Sequence, residues 1–116
     1  MEYREPVLRV IFYRSESGAE PVREWLKELQ REDRKTIGED IKTAQFGWPL
    51  GMPLIRKMEK GLWEVRSNIR DGIARIFFTV EKNTMVLLHG FVKKSQETPL
   101  NELQTARRRL RKILGG

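Results

Sequence analysis

Apolar residues recur along this chain with two different periods. Val7 to Tyr13 is an apolar run interrupted only by Arg9. Its β-branched and aromatic content predicts a strand. Ser15-Glu-Ser-Gly18 then reads as a turn. Pro21 suits the first helical position, where its missing N–H costs nothing. Val22, Trp25, Leu26 and Leu29 follow at i, i+3, i+4 and i+7, one helical stripe. A second helix is predicted from Asp33, a competent N-cap. Ile37, Ile41 and Ala44 give it a face, and Gly47 ends it. Gly38 inside that helix costs about 1 kcal/mol against Ala. Close packing against the first helix would explain it.

Gly47 to Pro53 holds two glycines, Gly47 and Gly51, and two prolines, Pro49 and Pro53, and so is a connecting loop. Three strand-like runs come next: Leu62–Ile69, Ile73–Val80 and Thr84–Val92. Arg70-Asp71-Gly72 and Glu81-Lys82-Asn83 separate them as hairpin-type turns. Thr98-Pro99 then reads as an N-cap followed by a first-position proline. Leu103, Ala106, Leu110, Ile113 and Leu114 form the stripe of a last helix. The expected fold is therefore a single α+β domain over residues 1–116. A twisted, mainly antiparallel four-stranded sheet carries two N-terminal helices on one face, and a basic C-terminal helix follows.

Strands alternate faces, so register decides which side chains meet. Trp63, Val65, Ile76 and Phe78 are one self-consistent apolar set. Pairing residue 65 with 76 places them together and sets Arg66 opposite Arg75. In the second hairpin Val86, Leu88 and Val92 join that helix-covered face. Leu87, His89, Phe91 and Lys93 go to the other, with His89 beside Arg75. One face is then apolar, and the other gathers Arg66, Arg75, His89 and Lys93 around Phe77 and Phe91.

Composition narrows the class. With 116 residues and 39% hydrophobic positions there is material for one packed core. No apolar run approaches 20 residues, and the N-terminus lacks the apolar segment of a signal peptide, so a cytoplasmic protein is expected. The absence of cysteine excludes a disulfide framework and thiolate metal sites. The net charge is +7, with a pI of 10.1. It is uneven: residues 14–47 sum to −1, residues 53–94 to +5 and residues 95–116 to +3. A balanced helical part followed by a basic sheet and tail suits a polyanion-binding face, as against a merely cationic surface.

The chain has no Walker loop, no Gly-rich dinucleotide turn and no metal-ligand spacing, so no cofactor or metal is expected. Metal-independent RNA cleavage needs less. The substrate carries its own nucleophile, the 2′-OH. The protein must deprotonate it, neutralise the phosphorane and protonate the leaving 5′-oxygen. Arginines do the second job, because guanidinium forks match phosphate oxygens. A lysine among cations can do the first, because neighbouring positive charge lowers its pKa. A histidine needs no such shift to exchange protons near neutral pH, which makes His89 the other candidate. Each element has a plainer reading. Glu64, of the same parity as Arg66, can sit between the two arginines as a surface network. His89 can be a satisfied sheet histidine. Phe77 and Phe91 either stack on bases or simply pack. Arg107, Arg108 and Arg111 either touch RNA or form a solvated helix end favoured by the C-terminal dipole.

An ordered set of segments resembles the RelE/HigB-like toxins, most closely their phage-associated HigB-type branch. These segments are Phe12-Tyr13, Ser17-Gly18, Pro21-Val-Arg-Glu-Trp-Leu26, Gly61-Leu-Trp-Glu-Val-Arg66, Arg75-Ile76 and His89-Gly-Phe-Val-Lys-Lys-Ser-Gln-Glu-Thr-Pro99. The resemblance covers about residues 7–112. It implies the toxin of a type II toxin–antitoxin system, an mRNA interferase that cleaves messages in the ribosomal A site without metal. It implies a helix-turn-helix antitoxin as partner, contact with 16S rRNA, and operator DNA engaged only through that antitoxin. Arg66 and Arg75 match the family's phosphate-binding arginines, and Lys93 and Lys94 its basic segment. The chain departs from other RelE-type enzymes in two ways. It has Leu62 and Glu64 where they place lysines, and no tyrosine in residues 95–116. The general base therefore falls to His89 or Lys93. A non-catalytic, phage-derived relative that grips RNA or protein is the alternative.

Overall fold

A computed structural model describes residues 5–93 and 99–115. In chain order the elements are β1 (Arg9–Phe12), α1 (Pro21–Glu28), α2 (Arg31–Gly47), β2 (Ile55–Glu59), β3 (Leu62–Ile69), β4 (Gly72–Glu81), β5 (Thr84–Lys93) and α3 (Leu100–Ile113). The strands form one sheet in the order β1-β5-β4-β3-β2. This is a small α+β fold, but the sheet has five strands where four were expected, and it is mixed. β1 runs parallel to β5, and the other pairs are antiparallel.

The extra strand is β2, whose sequence Ile-Arg-Lys-Met-Glu buries only Ile55. A charged strand at a sheet edge discourages pairing with other chains, and the same charges hide its period. α2 begins two residues before the expected start. Asp33 lies inside its first turn rather than capping it, and accepts a hydrogen bond from the Arg70 amide at 3.4 Å. Thr98, expected as the cap of α3, lies outside the described residues.

Both faces of the sheet carry apolar clusters. α1 and α2 contribute Val22, Ile37, Ile41 and Ala44 to one, against Val65, Ala74, Ile76, Phe78 and Leu87. α3 contributes Ala106 and Leu110 to the other, against Leu62, Phe77, Val86, Leu88 and Phe91. Val86 and Leu88 were expected on the first face and Leu87 on the second, so those three positions are reversed. The cause is a bulge. Phe77 pairs with His89 but Phe78 pairs with Leu87, leaving Leu88 as an extra residue. One inserted residue inverts the alternation on one side of it. No helix among the described residues is long and apolar enough to cross a membrane.

Two glycines give opposite predictions. Gly38 was expected to pack against α1, yet it is exposed and a Cβ there would meet nothing within 4 Å. Gly38→Ala should therefore raise stability by about 0.5–1 kcal/mol. Gly90 lies on β5 under the Trp25 ring, where a Cβ would approach Cε3 and Cζ3 to 2.5 Å. Gly90→Ala should lower stability by about 1–3 kcal/mol, because the ring edge cannot yield cheaply. Chemical denaturation of both variants checks the pair of signs.

Candidate functional site

The β3–β4 register sets Arg66 opposite Arg75 and Glu64 opposite Phe77. On β5, Phe91 stands opposite Arg75, Lys93 opposite Ile73 and His89 opposite Phe77. Glu64, Arg66, Arg75, Phe91 and Lys93 thus share the face that also carries α3. His89 is not the direct neighbour of Arg75 that was expected. It sits one pair further along, with Phe91 between.

The two arginines converge, and a carboxylate stands between them. Arg75 Nη1 donates to Glu64 Oε1 at 2.7 Å, and Arg66 Nε lies 3.9 Å from the same oxygen. The first distance is that of a short charge-assisted hydrogen bond; the second is an ion pair only. Glu64 is fully buried, Arg75 is 4% exposed and Arg66 25%. The two guanidinium groups differ in access, since Arg75 is enclosed and Arg66 is partly exposed. The network remains incomplete. Glu64 Oε2, Arg66 Nε and Arg75 Nε are buried without a hydrogen-bond partner.

Lys93 is 5% exposed. Burial first, and then the Arg75 guanidinium, hold its ammonium below the usual lysine range, with Glu64 opposing. Arg56 and Arg66 lower it further, and all four lowering causes disfavour the charged form.

His89 is held by α3. Its Nε2 lies 3.0 Å from Glu102 Oε1, and its Nδ1 lies 3.4 Å from Arg109 Nη1. A guanidinium only donates, so Nδ1 accepts and the proton rests on Nε2, donated to Glu102. Arg109 also donates to the Leu88 carbonyl at 2.7 Å. Both ring nitrogens thus face α3. Neither Glu102 nor Arg109 was singled out in the sequence. Their spacing was the available signal: seven residues apart, they lie on the same side of one helix, flanking the apolar stripe.

The aromatic candidates are packed. Phe77 is fully buried and Phe91 is 7% exposed, with ring centroids 5.5 Å apart. Phe91 also stacks on the His89 ring at 5.9 Å. Packing beneath α3 removes Phe77 as a platform for bases. On α3, Arg107 donates to Glu59 at 2.7 Å, whereas Arg108 and Arg111 are exposed. Lys94 lies outside the described residues. Among the described residues, no group of three or more His, Asp or Glu side chains is arranged to hold a metal ion.

Breaking the central pair has a predictable cost. Glu64→Ala leaves the enclosed Arg75 charge without its counter-ion and should destabilise the fold by about 3–5 kcal/mol. Glu64→Ala combined with Arg75→Met should recover a large part of that loss. Urea unfolding of the two single variants and the double gives the coupling directly; additive losses would mean that the two groups do not interact.

Residues 24–111 match the family described as Phage derived protein Gp49-like (DUF891). No curated protein matches the chain. Gp49-like proteins are a RelE/toxin-like family, often linked to toxin–antitoxin systems and related to toxins that are endoribonucleases. With most of its length matched, a cation-rich β-sheet face and three helices around a mixed sheet, this chain belongs to the phage-derived Gp49-like family.

Proposed function

We propose that this protein is the toxin of a type II toxin–antitoxin system, of the HigB-type branch. In this reading it is a cytoplasmic, ribosome-dependent mRNA interferase acting by metal-independent 2′-OH attack. The observation that carries this reading is the meeting of Arg66 and Arg75 on one sheet face, with Lys93 on the same face. Among the described residues these three cations surround the Glu64 carboxylate, and an excess of positive charge favours a phosphorane dianion. Arg66, the more exposed guanidinium, contacts the scissile phosphate. Arg75, held in place by Glu64, supplies fixed positive charge behind it. Lys93 is the base. Burial and Arg75 lower its pKa, which raises the fraction of neutral amine near neutral pH. Neither ring nitrogen of His89 is turned to Arg66 or Arg75, so as the 2′-oxygen bonds to phosphorus the P–O5′ bond breaks and the leaving 5′-oxygen takes its proton from solvent. Arg108, Arg111 and Lys94 are the contacts to RNA and 16S rRNA, and a helix-turn-helix antitoxin is the partner that carries the toxin to operator DNA.

Two observations favour a second reading, that of a non-catalytic relative acting with an antitoxin at the operator. Glu64 already occupies the space between the arginines, and α3 engages both nitrogens of His89.

Expression without an antitoxin separates the two. The first reading expects growth arrest and cuts in message that primer extension maps. Arg66→Ala should then lower single-turnover cleavage by roughly 10²–10³-fold with an unchanged circular dichroism spectrum. Normal growth on wild-type expression selects the second reading. The lysine role has its own signature. Cleavage should rise with pH as the Lys93 ammonium loses its proton, and level off below 10.5 because that pKa is lowered. Lys93→Arg should abolish this limb.

A further inference from the structure

The outer edge of β3 is only partly covered. β2 pairs with β3 from Ile55 opposite Val65 onward, and the Arg66 amide donates to the Leu54 carbonyl at 2.9 Å. Among the described residues no strand flanks this edge beyond Arg66. The flank of α2 passes there instead, as the contact between Asp33 and the Arg70 amide records. A cleft of about 380 Å³ remains between them. Pro53, Leu54 and Ile73 supply apolar walls, and Thr36, Asp40, Asn68 and Arg66 supply polar ones.

Arg66, Asn68, Ile73 and Arg75 share one face of the sheet by register. The cleft therefore lies at the sheet edge beside the arginine cluster, and Arg66 lines it. Its chemistry is biased toward acceptors. The Thr36 hydroxyl donates its proton to the Glu32 carbonyl at 3.1 Å, leaving its lone pairs to accept. Asp40 accepts only, and Asn68 does both. Among the described residues neither the Asp40 carboxylate nor the Asn68 amide has a side-chain partner. A small site with apolar walls and a few convergent polar groups is the usual form of a small-molecule pocket, and this volume falls within the range of about 300–1,000 Å³ for such sites.

The geometry points to this cleft as a nucleobase subsite selective for guanine. Guanine presents N1–H and N2–H side by side on one edge, two parallel donors matching the two oxygens of one carboxylate. Adenine, cytosine and uracil offer no such pair of adjacent donors on their Watson–Crick edges. Asn68 meets O6 as a donor, and Pro53 and Leu54 cover the ring faces. The inference rests on the reading of Arg66 as an RNA phosphate contact and adds a specificity element to it: Asp40 selects the base beside the phosphate that Arg66 holds.

Binding to the full-length protein tests this without requiring cleavage. Guanosine 3′-monophosphate and its adenosine, cytidine and uridine counterparts are titrated by calorimetry. Guanosine should bind roughly tenfold tighter than the other three, the scale of one good bidentate base contact. Asp40→Asn, a near-isosteric change on the flank of α2 whose folding is checked by its melting temperature, should bring all four to similar affinity. Arg66→Ala should weaken all four alike and keep the guanosine preference. Equal affinity for the four nucleotides, a preference that survives Asp40→Asn, or no binding at all would each overturn the proposal. A protein that prefers guanosine yet neither cuts message nor arrests growth would leave the subsite standing and remove the ribonuclease.

Discussion

The Glu64 carboxylate is the constraint around which the polar half of this molecule is arranged. Two guanidinium groups on paired strands repel each other, and neither could be enclosed without a counter-ion between them. One carboxylate oxygen serves both, at 2.7 Å for Arg75 and 3.9 Å for Arg66. The unequal distances follow from position. Arg75 lies on the central strand β4, with strands on both sides, and is drawn into a short bond. Arg66 lies where the pairing of β3 with β2 ends, and its side chain stays partly in water. The network is charge-rich and incompletely satisfied, and a carboxylate oxygen and two guanidinium nitrogens remain buried without partners. A fold optimised only for stability would replace such a group with apolar packing.

Two apolar layers flank the sheet, and each fixes part of the site. α1 and α2 hold the even-numbered positions of β3's apolar partners in β4, Ala74, Ile76 and Phe78, so the odd-numbered Arg75 must point the other way. α3 then sets the limits on that second face. Its stripe packs on Leu62, Phe77 and Leu88, and its polar flank reaches His89 through Glu102 and Arg109. The helix called basic from its sequence thus has two functions along its length. Arg107 and Arg109 are structural ties to Glu59 and to the Leu88 carbonyl, while Arg108 and Arg111 face solvent.

Much of this was legible in the sequence where local chemistry was decisive. The Arg70-Asp71-Gly72 turn and the alternation of Trp63, Val65, Ile76 and Phe78 suffice to fix the register that pairs Arg66 with Arg75. The meeting of the two arginines on one face followed from that register, and so did the possibility of Glu64 between them. What stayed hidden was non-local or masked by composition. β2 carries charges at Arg56, Lys57 and Glu59, which erase its period. β1 pairs in parallel with a strand more than seventy residues later, and no short-range pattern announces that. The bulge at Leu88 sits within Val86-Leu-Leu88, three apolar residues in a row, where either phase reads equally well. The stripe of α3 was visible, but not the face of the sheet on which it would lie. That face decided the environment of Phe77 and His89.

At Gly90 the separation between the α1 layer and the polar face is a single peptide backbone. The Trp25 indole rests against one side of it, and on the other side the adjacent residues, His89 and Phe91, project toward α3 and Arg75. Helix α1 is therefore mechanically continuous with a charged cluster it does not touch. A mutational scan that takes every change in the charged cluster as proof of direct contact would enrol α1 residues among its members. In a protein this thin, contact and influence have to be measured separately.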